Sequence, residues 1–303
     1  MTAALRVGIS GSSGLIGTAL RAALEQAGHE PVPIVRRVAG DGEVGWDPTA
    51  GRLATDDIAG LDAVVNLSGA GIGFLRWTTS YRAEFRSSRV DTTSLLAQTY
   101  AELGDDAPRA LVNASAIDYY GDRGDELLTE ESAGGSGFLA DVCREWESSA
   151  DPARDHARVV HLRTGMVLAK GGGALGKMEP IFKFGLGGRF GSGEQWVSWI
   201  TLHDEVLAIL HALTDDLEGP VNLTSPDPVT NRELTETLGH VLHRPTLLPV
   251  PRFAPKLLLG ADIAEPLLFD SKRVIPAKLL ADGFEFRHTQ LDDALRFALA
   301  DDR

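Results

Sequence analysis

The stretch Leu5–Gly28, "LRVGISGSSGLIGTALRAALEQAG", decides the fold. Its first six residues alternate apolar Leu5, Val7 and Ile9 with smaller or polar neighbours, which reads as a buried strand. Gly11, Gly14 and Gly17 follow in a G-x-x-G-x-x-G spacing. Apolar residues then recur at helical period until Gly28 stops the helix. "HEPVPIVRR", His29–Arg37, reads as a second strand. Strand, glycine loop, helix and strand in that order form the context in which such glycines cradle a dinucleotide. Gly11 permits the tight turn, Gly14 lets the backbone approach a pyrophosphate, and Gly17 allows close helix packing. Ser12, Ser13, Leu15 and Ile16 complete the loop and the first helical turn, whose N–H groups and dipole favour phosphate. An NAD site commonly places an acid at the end of the second strand, bonded to the ribose 2′-hydroxyl. Arg36 and Arg37 stand there instead, and two guanidiniums suit a 2′-phosphate. The expected cofactor is therefore NADP(H). Asp41 and Glu43 lie too far beyond the strand to be the usual acid.

The rest of the composition is compatible with one large α/β unit. The chain has 303 residues, 43% hydrophobic and 24% charged, with a formal net charge of −14. So negative a chain repels phosphodiester backbones, and its Lys and Arg are dispersed, so no nucleic-acid partner is expected. The single Cys143 excludes an internal disulfide framework and a cysteine-rich zinc site. No metal site is expected among the eight scattered histidines, and His203 reads as a packing or capping residue. No apolar run reaches the ~18 residues of a membrane span, and the N-terminus runs straight into a strand without a signal peptide. The cytoplasm is the expected compartment. Three Asn-x-Ser/Thr triplets, at Asn66, Asn113 and Asn222, read as chance. "GGGALGKM", Gly171–Met178, mimics a phosphate-binding P-loop, but Met178 lacks the metal-binding hydroxyl and Pro180 follows too closely.

Further apolar runs extend the sheet. "LDAVVNLSGAGI" reads as a parallel strand whose end, Leu67-Ser68-Gly69, opens toward the nucleotide. "RALVNASAIDYYG" is a second such strand, ending in Ser115, and "ARVVHLRTGMVLA" is a third, followed by Met166. Strands alternating with helices imply a Rossmann-type, doubly wound parallel sheet, with ligands beyond the strand C-termini. Residues 1–170 are expected to form this NADP-binding domain, with some later segments returning to it. Residues 171–303 are expected to form a smaller C-terminal α/β domain on the substrate side.

Taken together, "GSSGLIG", "NLSGAGI", "ASAIDYYG" and "LRTGMVLA" resemble the extended short-chain dehydrogenase/reductases, the class of sugar-nucleotide epimerases and dehydratases. "RWTTSYRAEFRSSRVDTT", "FLADVCREWE", "GLGGRFGSGEQWVSWI" and "SKRVIPAKLLADGFEF" are similar to the epimerase-family subgroup that carries a C-terminal domain of unknown function. The resemblance covers nearly the whole chain. It implies that Arg89, in "SRVDTT", faces the cofactor, with Glu84 able to reach the same rim. It also implies that the loop at Met166 offers backbone groups to the nicotinamide.

Typical members carry a serine and a Tyr-x-x-x-Lys pair on the next helix, whose i,i+4 spacing puts both on one face. The ammonium lowers the phenol pKa so that the tyrosine can exchange a proton. Ser115 stands where the serine is expected, but Phe138 and Val142 occupy the Tyr and Lys positions. Neither carries a proton. Cys143 beside them reads as buried filler. Tyr119 and Tyr120 suit a structural turn, though either phenol, and Tyr120 in particular, could supply a proton, as could Asp118 or Lys177.

Beyond Gly171 the chain is rich in glycine and tryptophan, suited either to a pocket wall lined by Met178 and Trp196 or to a plain connection. "TNRELTETLGHVL" is a capped amphipathic helix, and "GFEFRHTQLDDALRFAL" reads as a short strand and a closing helix. "RFAPKLLLGADIAEPLLF" is apolar enough to pack on the first domain or to form a homodimer contact. The expectation is an oxidoreductase or epimerase-type protein that exchanges hydride with an unknown small molecule. The alternative is a catalytically inert NADP(H)-binding sensor or partner-binding protein.

Overall fold

In the computed structural model, residues 4–72 and 77–300 are described. Arg76, at the head of one family-like string, lies outside them. The opening stretch forms β1 (Arg6–Ser10), α1 (Leu15–Gln26) and β2 (Glu30–Val35). The chain continues through β3 (Val44–Asp47), β4 (Arg52–Leu53), α2 (Thr55–Ala59), β5 (Ala63–Asn66), α3 (Thr79–Leu103) and β6 (Ala110–Ala116). Next come β7 (Leu127–Leu128), α4 (Phe138–Ser148), β8 (Arg158–Thr164), β9 (Met166–Ala169), β10 (Gly172–Gly173) and α5 (Leu175–Lys183). Then follow β11 (Trp196–Val197), β12 (Trp199–Thr201), α6 (Leu202–Thr214), β13 (Gly219–Leu223), β14 (Val229–Thr230) and α7 (Asn231–Val241). The last elements are α8 (Phe253–Leu259), α9 (Ala261–Leu268), β15 (Arg273–Val274), α10 (Ala277–Ala281) and α11 (Leu291–Leu299).

Eight strands make one sheet in the order β13-β8-β6-β5-β1-β2-β3-β4, parallel except for the β3–β4 pair. Strand alternation sorts its residues onto two faces. Val7, Ile9, Val65 and Val112 pack under α1 and α6, while Val64 and Leu111 pack under α2 and α3. The order reverses at β1, which pairs with β2 on one side and β5 on the other. That reversal opens a crevice outside the carboxyl ends of β1 and β5, where open α/β sheets bind ligands. The doubly wound sheet is thus as expected, and β13, late in the chain, returns to its far edge.

The C-terminal half builds a smaller unit around fully buried Trp199, with Leu168, Leu175, Phe182, Leu234, Leu238 and Leu295 packed in the same cluster. Helix α7 starts on the expected Thr230 cap, with Glu233 completing a reciprocal capping box. The pseudo P-loop is a β9–β10 hairpin turning into α5, with Pro180 inside that helix. The apolar "RFAPKLLLGADIAEPLLF" stretch is two helices broken at Gly260, and Ile263 and Leu267 of α9 pack on Trp77, Phe85 and Val142.

One expectation fails. Phe284–His288 forms no strand. The Asp204 carboxylate accepts the backbone N–H groups of Arg287 (2.8 Å) and His288 (3.0 Å), which supplies what a neighbouring strand would otherwise supply. Asn66, Asn113 and Asn222 are all fully buried, so none of the three triplets presents an acceptor on the folded surface.

Candidate functional site at the sheet edge

The glycine elbow is closed by contacts that leave no room for side chains. A Cβ on Gly17 would lie 2.3 Å from the Gly11 carbonyl oxygen, and one on Gly11 would lie 2.6 Å from that of Leu67. Gly11 also has φ +68°, which disfavours other residues. Gly14 caps α1 with extended backbone and no side-chain cap hydrogen bond. The N-terminus of α1 is therefore left to whatever anion sits in the elbow. Ser13, Gly14 and Leu15 are exposed there, Ile16 is partly buried, and Ser12 is buried. Leu15 also meets the β9–β10 hairpin, where a Cβ on Gly172 would lie 2.7 Å from its Cδ1.

The two arginines beyond β2 are not equivalent. Arg37 bonds Glu43 with both terminal nitrogens, at 2.7 and 2.5 Å, and donates to the Val38 carbonyl. Glu43 also accepts the Gly40 N–H at 2.8 Å, which folds the loop back onto the strand end. Arg36 is exposed and, among the described residues, makes no hydrogen bond or ion pair. Its guanidinium is the one at this position open to an added phosphate.

Arg89 reaches the edge from α3. It is buried, stacks 3.5 Å from the Phe85 ring centroid, and donates to the carbonyls of Phe85 (2.9 Å) and Ala70 (3.0 Å). No carboxylate pairs with it among the described residues, and burial lowers its pKa to about 10. Gly69 lies close beside it: a Cβ there would lie 3.1 Å from the guanidinium carbon and would press on that side chain. Ser68 donates its N–H to Asn66, and Leu67 packs on the sheet core. Glu84 lies exposed on α3, its carboxylate making no hydrogen bond to the described residues.

Ser115 and Tyr120, the two candidate catalytic residues, belong to a buried hydrogen-bond network. The Ser115 hydroxyl donates to Glu147 Oε1 at 2.7 Å, and Glu147 is held by Arg163 through two bonds of 2.8 and 2.7 Å. Arg163 donates to the Tyr120 hydroxyl at 3.0 Å, and that hydroxyl donates to Asn222 at 2.7 Å. Burial pushes the Tyr120 pKa up to about 12. Tyr120 is 0% exposed and its hydroxyl is fully engaged, so it offers no face to a substrate. Ser115 points from β6 to α4 and its hydroxyl is spent on the ion pair.

Helix α4 presents an apolar face, as its sequence indicates. Phe138 and Val142 join Trp77, Tyr81, Phe85 and Ile263 in one cluster. Cys143 is buried, and burial pushes its thiol pKa up, against reactivity. Met166 opens β9 and donates its N–H to Ser198 at 2.9 Å. Met178 packs, partly buried, on the Trp199 cluster. Trp196 is latched by Asp125 at 2.7 Å and by the Arg273 guanidinium 4.3 Å from its ring. Neither residue borders the cavity of about 160 Å³ found at the N-terminus of α4, which Asp118, Phe138, Pro266 and Asp270 help to line. That cavity is backed by buried Lys272, whose ammonium lies 3.1 Å from Asp118. Lys272 escaped the sequence reading because it stands in a polar run, Asp270-Ser271-Lys272-Arg273, that reads as an ordinary surface loop. Lys177 reaches the Ile72 carbonyl at 3.4 Å. Among the described residues, His211, Asp215 and Asp282 could converge on a cation, but both imidazole nitrogens already face carboxylates.

The chain is 45% identical to an epimerase family protein of Mycobacterium leprae, over 96% of this chain and 95% of that protein. The chain belongs to the epimerase family. Residues 7–139 match the NAD dependent epimerase/dehydratase family, and residues 250–298 match a domain of unknown function, DUF1731. A crystal structure of the human epimerase family protein SDR39U1 with NADPH superposes with a TM-score of 0.88 at 33% identity, over 97% of this chain and 99% of that one. A nucleoside-diphosphate sugar epimerase of Corynebacterium glutamicum gives a TM-score of 0.81 at 37% identity, over 98% of this chain and 58% of that longer one. Within the epimerase family frame, the glycine elbow and the strand ends of β1, β5 and β6 fall inside the first matched region, and Lys272 inside the second.

Proposed function

We propose that this epimerase-family protein binds NADP(H) and uses it in oxidoreductase or epimerase-type chemistry on a small molecule. The observation that carries this reading is the closed elbow beside an unpartnered Arg36. Gly11, Gly14 and Gly17 would hold the diphosphate against the N-terminus of α1, and Arg36 would bond the 2′-phosphate. Arg37, already paired with Glu43, would shape the loop and contribute less. Arg89 and Gly69 would border the inner end of the cofactor. The human relative crystallised with NADPH supports the choice of coenzyme. Bound there, the nicotinamide supplies a hydride donor or acceptor; the chain's part is to orient it and to exclude water.

A second reading has its own support. Phe138 and Val142 pack in an aromatic cluster, and Ser115 and Tyr120 bond buried partners, which supports a sensor that binds the coenzyme without turnover. Oxidation of bound NADPH across a panel of ketones and sugar nucleotides decides between them. Substrate-dependent loss of absorbance supports the enzyme. Slow loss that no substrate accelerates leaves the binding role alone.

A further inference from the structure

We propose that the cavity at the N-terminus of α4 receives the hydroxyl or carbonyl end of a small substrate, with Asp118 as its proton-exchanging group and Lys272 as the residue that positions it. The inference rests on the NADP(H) reading above and deepens it. Asp118 follows β6 on the ligand-binding edge of the sheet, in the turn Ile117–Tyr120. Its Oδ1 forms an ion pair with the Lys272 ammonium at 3.1 Å, and that ammonium donates to the Pro266 carbonyl at 2.8 Å. Asp118 Oδ2 makes no hydrogen bond to the described residues and its side chain borders the cavity. Asp270, on the same wall, lies 3.9 Å from the ammonium and likewise has no hydrogen bond at its carboxylate.

The walls match a neutral hydroxyl or carbonyl group. Helix α4 is 11 residues long, starts at Gly137 without a side-chain cap, and points its first turn into the cavity through Phe138, Leu139 and Ala140. Its free amides can donate to an oxygen, while Asp118 can accept a hydroxyl proton. Phe138, Leu139 and Pro266 give the apolar remainder. A volume of about 160 Å³ admits a fragment of only a few heavy atoms, since a water takes roughly 30 Å³. When such a fragment is oxidised, its hydroxyl proton passes to Asp118 and the hydride from the same carbon passes to NADP⁺, giving ketone and NADPH; reduction reverses both transfers.

The charges on this wall are unequal. Two carboxylates share one ammonium, which leaves the wall with an excess of negative charge facing a donor hydroxyl. Burial raises the Asp270 pKa, Lys272 opposes that, and Asp122, Asp118 and Glu265 add like charge. Arg89 faces Asp118 from α3.

The test uses the full chain saturated with NADPH, with dihydroxyacetone, hydroxyacetone and glycerol as probes, read by saturation-transfer NMR, and NADPH affinity by calorimetry. At least one probe should bind the wild type. Asp118→Ala should weaken it at least about tenfold, roughly one charge-assisted hydrogen bond, with NADPH affinity unchanged. Lys272→Met should weaken probe binding with NADPH affinity unchanged, and Lys272→Arg should restore it, because an ammonium or guanidinium holds the Asp118 carboxylate and a methionine does not. Binding by none of the probes, or equal binding by Asp118→Ala, overturns the proposal. If NADPH itself fails to bind, the cofactor reading falls, and the probes on the cofactor-free chain still decide the cavity.

Discussion

The Ser115 hydroxyl donates to the Glu147 carboxylate across 2.7 Å, tying β6 to α4 inside the protein. Glu147 and Arg163 are both buried, so each depends on the other for its charge. Replacing Glu147 with Gln leaves Arg163 buried without its counterion, which costs about 3–5 kcal/mol. Ser115→Ala should cost only ~1 kcal/mol, one net hydrogen bond, and should leave NADPH affinity unchanged. Chemical denaturation of both variants, with calorimetry of the second, checks this.

Glu205 is fully buried on α6, accepts from Thr164 at 2.8 Å, and has its other oxygen without a partner. Burial raises its folded-state pKa to about 8, above the 4.5 of an exposed glutamate. Between those values the folded chain keeps a proton that the unfolded chain has released. Stability from this group is therefore full at low pH and is lost as pH rises through that window. Glu205→Gln should remove this slope, changing the pH dependence by on the order of a few kcal/mol. Unfolding free energies measured from pH 5 to 9 show whether the two curves diverge as stated.

Cys143 should be inert in the folded protein. The residue is 4% exposed and burial disfavours the thiolate. An alkylating agent at neutral pH should label it in denaturant and leave it unlabelled without. Rapid labelling of the native chain would contradict the packing of α4.

Much of this site was legible in the sequence, for physical reasons that differ by residue. Gly11 and Gly17 were readable because a backbone contact that excludes a Cβ leaves glycine as its mark. The apolar replacement at Phe138 and Val142 was readable because helical spacing fixes which residues share a face. Arg36 and Arg37 looked alike, since only the return of Glu43 distinguishes them. The bond from Ser115 to Glu147 was not legible, because that carboxylate sits on a different element, outside any local pattern. The strand expected at Phe284–His288 failed because a distant carboxylate, Asp204, supplies its hydrogen bonds. Lys272 and Asp118 are joined only by the fold.

The central claim is that an open Arg36, beside a closed glycine elbow, selects the 2′-phosphorylated coenzyme. Titration calorimetry of the wild type and Arg36→Glu with NADPH and with NADH tests it most directly. The wild type should prefer NADPH, and the substitution should weaken NADPH about tenfold or more, the size of a charge-assisted hydrogen bond, while leaving NADH affinity nearly unchanged. Equal NADPH affinity in the two proteins would contradict the account.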